Sequence, residues 1–180
     1  MPAGLLADPL DYIFADHFRQ RVLCNLLEEL ADAASLDVGK AQDVLAYIRT
    51  DMPIHIRDEE DDLFPLMRRR CAPEDEIDAL LAKLGAEHAA DDRFAKEIVE
   101  GLATVTATGA PVRSMPDLRH KMLAFARSQR RHLMVENSIL LPIARARLTR
   151  RDRTDLGKRM AARRGIELAP DGGTRRALKS

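Results

Sequence analysis

The chain has 180 residues, 46% of them hydrophobic, enough for one domain with a core, or one domain plus a tail, and too apolar to be disordered throughout. Aromatic residues make up only 4%, Trp is absent, and Ala, Leu, Arg, Glu and Asp dominate, which favours helix over sheet. The formal net charge is zero and there are two cysteines, so neither a global attraction to polyanions nor a disulfide framework is indicated. No apolar run approaches the roughly 18 residues of a membrane span, and "MPAGLLADPLDY" lacks a basic leader region. The expectation is a cytoplasmic protein with reduced thiols.

Taken in chain order, the first predicted helix starts at Asp8 as N-cap with Pro9 behind it. Leu10, Ile13, Cys24, Leu27 and Ala31 share a stripe with His17. A second helical segment runs from about Val38 to Arg70 and contains Pro53, which should bend or locally break it. The third starts near "APEDEIDAL", passes His88 and fades in "GLATVTATGAP". The fourth follows "SMPD", with a stripe of Leu118, Met122, Phe125, Gln129, His132, Glu136, Ile139 and Ile143. Beyond about Leu148 a short basic helix and a loose tail, "APDGGTRRALKS", are predicted. Strand signals are absent. Four amphipathic helices with short links imply an all-α, antiparallel up-down-up-down bundle over residues 1–148, followed by a C-terminal helix and tail over 149–180.

Chemistry enters with the histidines. Of five, His17, His55, His88 and His132 lie on apolar stripes of the four helices, whereas His120 is rotated away from the His132 stripe. Counted from the turns, neighbouring histidines match in height within about one helical turn, roughly 5 Å. His55 and Glu59 are four apart, as are His132 and Glu136, a spacing that stacks two side chains on one face. Four imidazoles and two carboxylates are too many ligands for one tetrahedral zinc. They suit two borderline metals bridged by both carboxylates, with iron or manganese fitting best by ligand type. A lone core histidine is usually a packed residue, but two unpaired buried carboxylates would cost several kcal/mol each without a cation. Ferritin-like di-iron proteins place Glu three residues before His. Here the order is reversed, which argues against that class.

The segments "ADHFRQR", "HIRDEEDDLFPLM", "EHAADD" and "HLMVENSILLPIA" resemble the hemerythrin-like, or HHE cation-binding, family over about residues 10–148. Each His-x-x-x-Glu motif is followed by an apolar-Pro step, Phe64-Pro65 and Leu141-Pro142. The resemblance implies an antiparallel four-helix bundle around two Fe ions, an oxo- or hydroxo-bridged di-iron centre. His17, His55, His88 and His132 would be terminal ligands and Glu59 and Glu136 the bridges; Mn or Zn at the same ligands is the lesser alternative. The chain departs from the oxygen carriers, which use a fifth histidine on the third helix: Leu84 and Asp92 occupy the positions four residues either side of His88. Asp91, Glu87, Tyr12 or solvent would fill the vacated position.

More open positions favour reaction with a small diatomic ligand or peroxide over reversible carriage. The expected function is therefore binding of, or reaction with, dioxygen, peroxide or nitric oxide in a sensing, scavenging or iron-responsive role. No dedicated substrate site marks the chain as an enzyme. The alternative is a regulatory or interaction bundle whose metal is mainly structural.

Other features read more plainly. Asp58, Glu60 and Asp61 are expected in solvent, with Asp62 a partner for a ligating imidazole. Cys24, Tyr12 and Tyr47 are expected to pack, and Arg21 to pair with a carboxylate. The segment from Arg145 to Arg164 carries nine Lys or Arg against two acids and reads as a solvated capping helix. Nucleic acid is not an expected partner, since neither aromatic interleaving nor a binding motif accompanies the charge.

Overall fold

The structure, a computed structural model, describes residues 3–168 and 174–176. It is all-α in its long elements, and the four predicted helical segments are present. Helix α1 spans Pro9–Asp32. The second segment is continuous and consists of α2 (Val38–Ala46), a π-helical turn (Tyr47–Asp51), α3 (Met52–Arg57), a second π-helical turn (Asp58–Leu63) and α4 (Phe64–Arg70). Helix α5 covers Ile77–Thr108. The last long segment is α6 (Pro116–Val135), a π-helical turn (Glu136–Leu140) and α7 (Leu141–Arg147), and α8 follows over Arg150–Arg163. Among the described residues, no helix is long and apolar enough to cross a membrane.

Three π turns among the described residues need a cause, and the sequence contains it. Each ends two residues before a proline: Asp51 before Pro53, Leu63 before Pro65, Leu140 before Pro142. A proline within a helix has no N–H to donate, and its ring clashes with the carbonyl four residues back. Widening the preceding turn relieves the clash. The backbone shows it directly, since the N–H of Met52 donates to Tyr47 O and that of Phe64 to Glu59 O, five residues back in each case. Pro53 therefore does not break its helix; it is accommodated by a local change of pitch.

The wider turn shifts everything after it around the helix axis. Beyond Glu136 an unbroken α-helical stripe puts Ile139 and Ile143 in the core. Instead Leu140, Leu141 and Ala144 are buried and Ile139 is 45% exposed. The expectation for Ile139 and Ile143 is corrected by the π turn, which a fixed period of 3.6 does not contain.

By internal packing the chain forms two compact units. One comprises Phe18–Pro53 and Ala82–Val135. Its ion pairs give the helix directions. Glu29 meets Lys40 at 2.7 Å and Arg19 meets Asp51 at 2.8 Å, so α1 and the second segment are antiparallel. Asp32 meets Arg119 at 2.6 Å and Glu28 meets Arg130 at 2.8 Å, so α1 and α6 are antiparallel. Glu97 meets Lys121 at 2.5 Å and Asp91 meets Gln129 at 2.7 Å, which sets α5 antiparallel to α6. Leu27, Leu30, Ile98, Leu102, Met122 and Phe125 fill its core, each contributing about 1.5–3 kcal/mol of burial. Arg21, expected to meet a carboxylate, stacks over the Phe18 ring. Tyr47 packs as expected, beneath Arg19.

The other unit comprises the chain up to His17, Ile54–Leu81 and the chain from Glu136 onward. Helix α8 starts with a capping box: Thr149 Oγ1 accepts from Asp152 N–H while Asp152 accepts from Thr149 N–H. The same Asp152 takes Arg70 Nε at 2.8 Å and Arg69 at 3.2 Å, tying α8 to the end of α4. Leu156, Met160 and Ala161 form its buried face. At Gly157 the helix approaches Leu6 so closely that a Cβ would stand 2.6 Å from the Leu6 carbonyl oxygen. Past α8, strands β1 (Ile166–Leu168) and β2 (Thr174–Arg176) pair antiparallel, Ile166 opposite Arg176. These short strands carry no signal in the sequence. The rest of the tail expected over 169–180 lies outside the described residues.

Candidate metal centre

Four of the predicted ligands converge within one unit. His17 comes from α1, His55 from α3, Glu59 from the π turn before Phe64-Pro65, and Glu136 from the π turn before Leu141-Pro142. All four are buried; His17, Glu59 and Glu136 have no exposed surface. Each offers a ligand atom, and these atoms all lie within 4.8 Å of one another. His17 Nε2 stands 3.4 Å from Glu136 Oε2 and 3.8 Å from Glu59 Oε1. His55 Nε2 stands 3.5 Å from Glu59 Oε2. The two imidazoles meet edge to face, centroids 5.2 Å apart.

Those separations exceed ordinary hydrogen bonds, and His17 Nε2, wholly buried, makes none. Ligand atoms about 2.1 Å from one ion stand about 3 to 3.5 Å from their neighbours. The four side chains fit one ion with only slight contraction. Their chemistry, neutral imidazole nitrogen and carboxylate oxygen, suits a borderline divalent metal.

The far nitrogens of the rings are held. His17 Nδ1 donates to Asn137 Oδ1 at 2.7 Å, and His55 Nδ1 faces Asp16 Oδ2 at 3.2 Å. An acceptor at Nδ1 puts the proton there and leaves the Nε2 lone pair for a metal. Burial lowers the pKa of His55, but the carboxylates of Glu59, Asp16 and Glu136 together overcome it and hold it up at about 9. A cation is thus favoured at this spot, and a metal ion would displace that proton.

His88 and His132 form a pair in the other unit. Their Nε2 atoms are 2.9 Å apart, the spacing of two adjacent ligands on one ion. His132 Nδ1 is held by Glu87 Oε2 at 2.8 Å, repeating the arrangement at His17 and His55. His120 is exposed, as its rotation requires.

None of the side chains proposed for the vacated fifth position is simply waiting there. Glu87 is engaged by His132 Nδ1. Asp91 is buried and accepts from Gln129 Nε2, with burial pushing its carboxyl upward. Tyr12 OH accepts from Arg164 Nε at 2.9 Å. Leu84 is fully buried, and Asp92 is exposed and paired with Lys96 at 2.7 Å.

The acidic run Asp58–Asp62 needs correcting. Glu60 and Asp61 do face solvent, but Asp58 is 1% exposed and Asp62 only 6%. Asp58 accepts from Arg163 and Arg164, and Asp62 from Arg159 and Arg163, rather than from a ligating imidazole. The basic C-terminal helix is correspondingly not a wholly solvated cap, since Arg163 and the C-cap residue Arg164 lie largely buried against these aspartates, while the exposed Arg159 also reaches Asp62. Asp16 and Asn137 were the partners that the sequence left unmarked. Each is the chain neighbour of a predicted ligand, and the only signal is that adjacency.

A family model described as the hemerythrin HHE cation-binding domain matches residues 8–144. No curated protein matches the chain. The match reaches all four long helical segments and includes every predicted ligand, and the chain belongs to the hemerythrin HHE cation-binding family.

Proposed function

We propose that this is a non-haem di-iron protein that binds or reacts with dioxygen, peroxide or nitric oxide in a sensing, scavenging or iron-responsive role within the cytoplasm. The observation that carries the reading is the buried set His17, His55, Glu59 and Glu136, whose ligand atoms lie within 4.8 Å of one another. In this reading His17, His55, His88 and His132 would be the nitrogen ligands, and Glu59 and Glu136 the carboxylate ligands that the family resemblance implies. When bound, the metal supplies one-electron redox chemistry toward oxygen-derived or nitrogen-oxide ligands.

The chain's own residues do the rest. Asp16, Asn137 and Glu87 orient the rings and set which nitrogen is free. Ile13, Leu63 and Leu140, each four residues from a predicted ligand in sequence, have no exposed surface, which favours a low local dielectric. The substitution of Leu84 and Asp92 for a further histidine leaves fewer protein ligands than an oxygen carrier has, which favours reaction over clean reversible carriage.

The test is anaerobic reconstitution with Fe(II), elemental analysis, and optical measurement on mixing with oxygen, peroxide or nitric oxide. Two irons per chain and a rapid spectral change with at least one of these ligands are expected. Fewer than one iron per chain would falsify the metal reading. Full loading with no reaction leaves the metal a structural role, in a regulatory or interaction bundle. Elemental analysis of protein from cells separates iron from manganese and zinc.

A further inference from the structure

We infer that helix α8 is a positioning element for the metal centre, acting on Glu59 through Arg159, Arg163 and Arg164. This rests on the metal reading above. Glu59 is carried by the π turn Asp58–Leu63, a wide turn that is intrinsically weaker than the α-helix around it. Such a turn needs lateral support to hold one carboxylate in one place. The support comes from its outer face, where Asp58 and Asp62 flank Glu59 in sequence at one residue before and three after.

Both aspartates are buried and both are engaged by α8. Arg163 bridges them, reaching Asp58 Oδ1 and, at 2.7 Å, Asp62 Oδ2. Arg164 Nη2 meets Asp58 Oδ2 at 2.5 Å, and Arg159 meets Asp62 Oδ1. All are charge-assisted; those from Arg163 and Arg164 lie at low exposure, the strong kind, whereas Arg159 is largely exposed. Arg164 also donates to Tyr12 OH and lies over that ring at 4.7 Å. Tyr12 sits on α1, five residues before His17. One helix and its C-cap residue therefore grip the turn that carries Glu59 and the helix that carries His17.

Linkage fixes the consequence. If docking of α8 raises metal affinity by some factor, metal binding must favour α8 docking by the same factor. Groups that hold a ligand directly typically change metal affinity by about 10- to 100-fold, so support one step further out should act at the low end of that range.

The experiment compares metal release from wild-type protein loaded with Co(II) or Fe(II) to a chelator such as EDTA against release from Arg163→Gln and Asp62→Asn. Release about 10-fold faster is expected for both, the low end of the range for groups that hold a ligand directly, with an altered Co(II) visible spectrum and unchanged helix content. Arg163→Lys should recover part of the loss. Arg151→Gln, on the exposed side of the same helix, should release at the wild-type rate. Wild-type protein that takes up no metal overturns the metal reading and this inference with it. Wild-type protein that holds metal while both folded variants release it at the wild-type rate overturns the inference alone. Should both variants fail to fold, amide exchange of the wild type decides: metal should slow exchange in 150–164 as well as 58–63, and no change in 150–164 overturns the positioning role.

Discussion

Asp16 and His17 are neighbours in the chain, yet they serve different rings. His17 presents Nε2 to the carboxylates, while Asp16 reaches Nδ1 of His55. Replacing Asp16 with Ala removes the acceptor that fixes the His55 tautomer. Metal affinity should fall about 10- to 100-fold with little change in fold, as read by chelator competition and circular dichroism. The cysteines separate in a similar way. Burial pushes the Cys24 thiol up to about 11, and Cys24 has no exposed surface, whereas Cys71 is only half-buried. Because the thiolate is the reacting species, native protein titrated with a disulfide reagent should show one thiol, Cys71, reacting well before the second. Simultaneous reaction of both thiols would mean that the α1 core opens readily.

The π turns and α8 are where the elements earn their place. Glu59 and Glu136 both stand on turns widened by a downstream proline, and the motif Phe64-Pro65 or Leu141-Pro142 is the cause. The apolar-Pro step thus shapes the turns that carry the two predicted carboxylate ligands as well as the packing. At Gly157 the constraint is steric. A methyl group there meets a backbone oxygen, Leu6 O, at 2.6 Å, which cannot swing away as a side-chain end could. Gly157→Ala should push α8 off the 3-10 helix Ala3–Ala7 and cost about 1–3 kcal/mol. Urea unfolding of the variant measures this, and a cost near zero would show that the two elements separate freely.

For the whole molecule, two linkages set stability. Hydrogen bonds from Arg70, then from Thr149, hold the Asp152 carboxyl well below the usual carboxylate range. A depressed pKa contributes stability above the unfolded value of about 3.9 that is lost as pH falls toward the folded value. The stability gap between wild type and Asp152→Asn should therefore be constant from about pH 5 to 8 and shrink below about pH 4, as followed by chemical unfolding across that range. Metal is the second linkage. At a free concentration 100 times Kd it adds about 2.7 kcal/mol, or about 5–10 °C in Tm for a chain of this size. Removing the metal with a chelator should lower Tm by that amount, and an unchanged Tm would show that the native state binds no ion. The sequence by itself determined the helical segments, the six candidate ligands and the family, because period, capping residues and His-x-x-x-Glu spacing are local signals that survive without coordinates. Only the tertiary structure decided which acids are buried and what holds them: Asp58 and Asp62 face Arg159, Arg163 and Arg164, about a hundred residues later in the chain. No local pattern encodes a partner at that separation, and a wide turn displaces the helical period by enough to move Ile139 from the core to the surface.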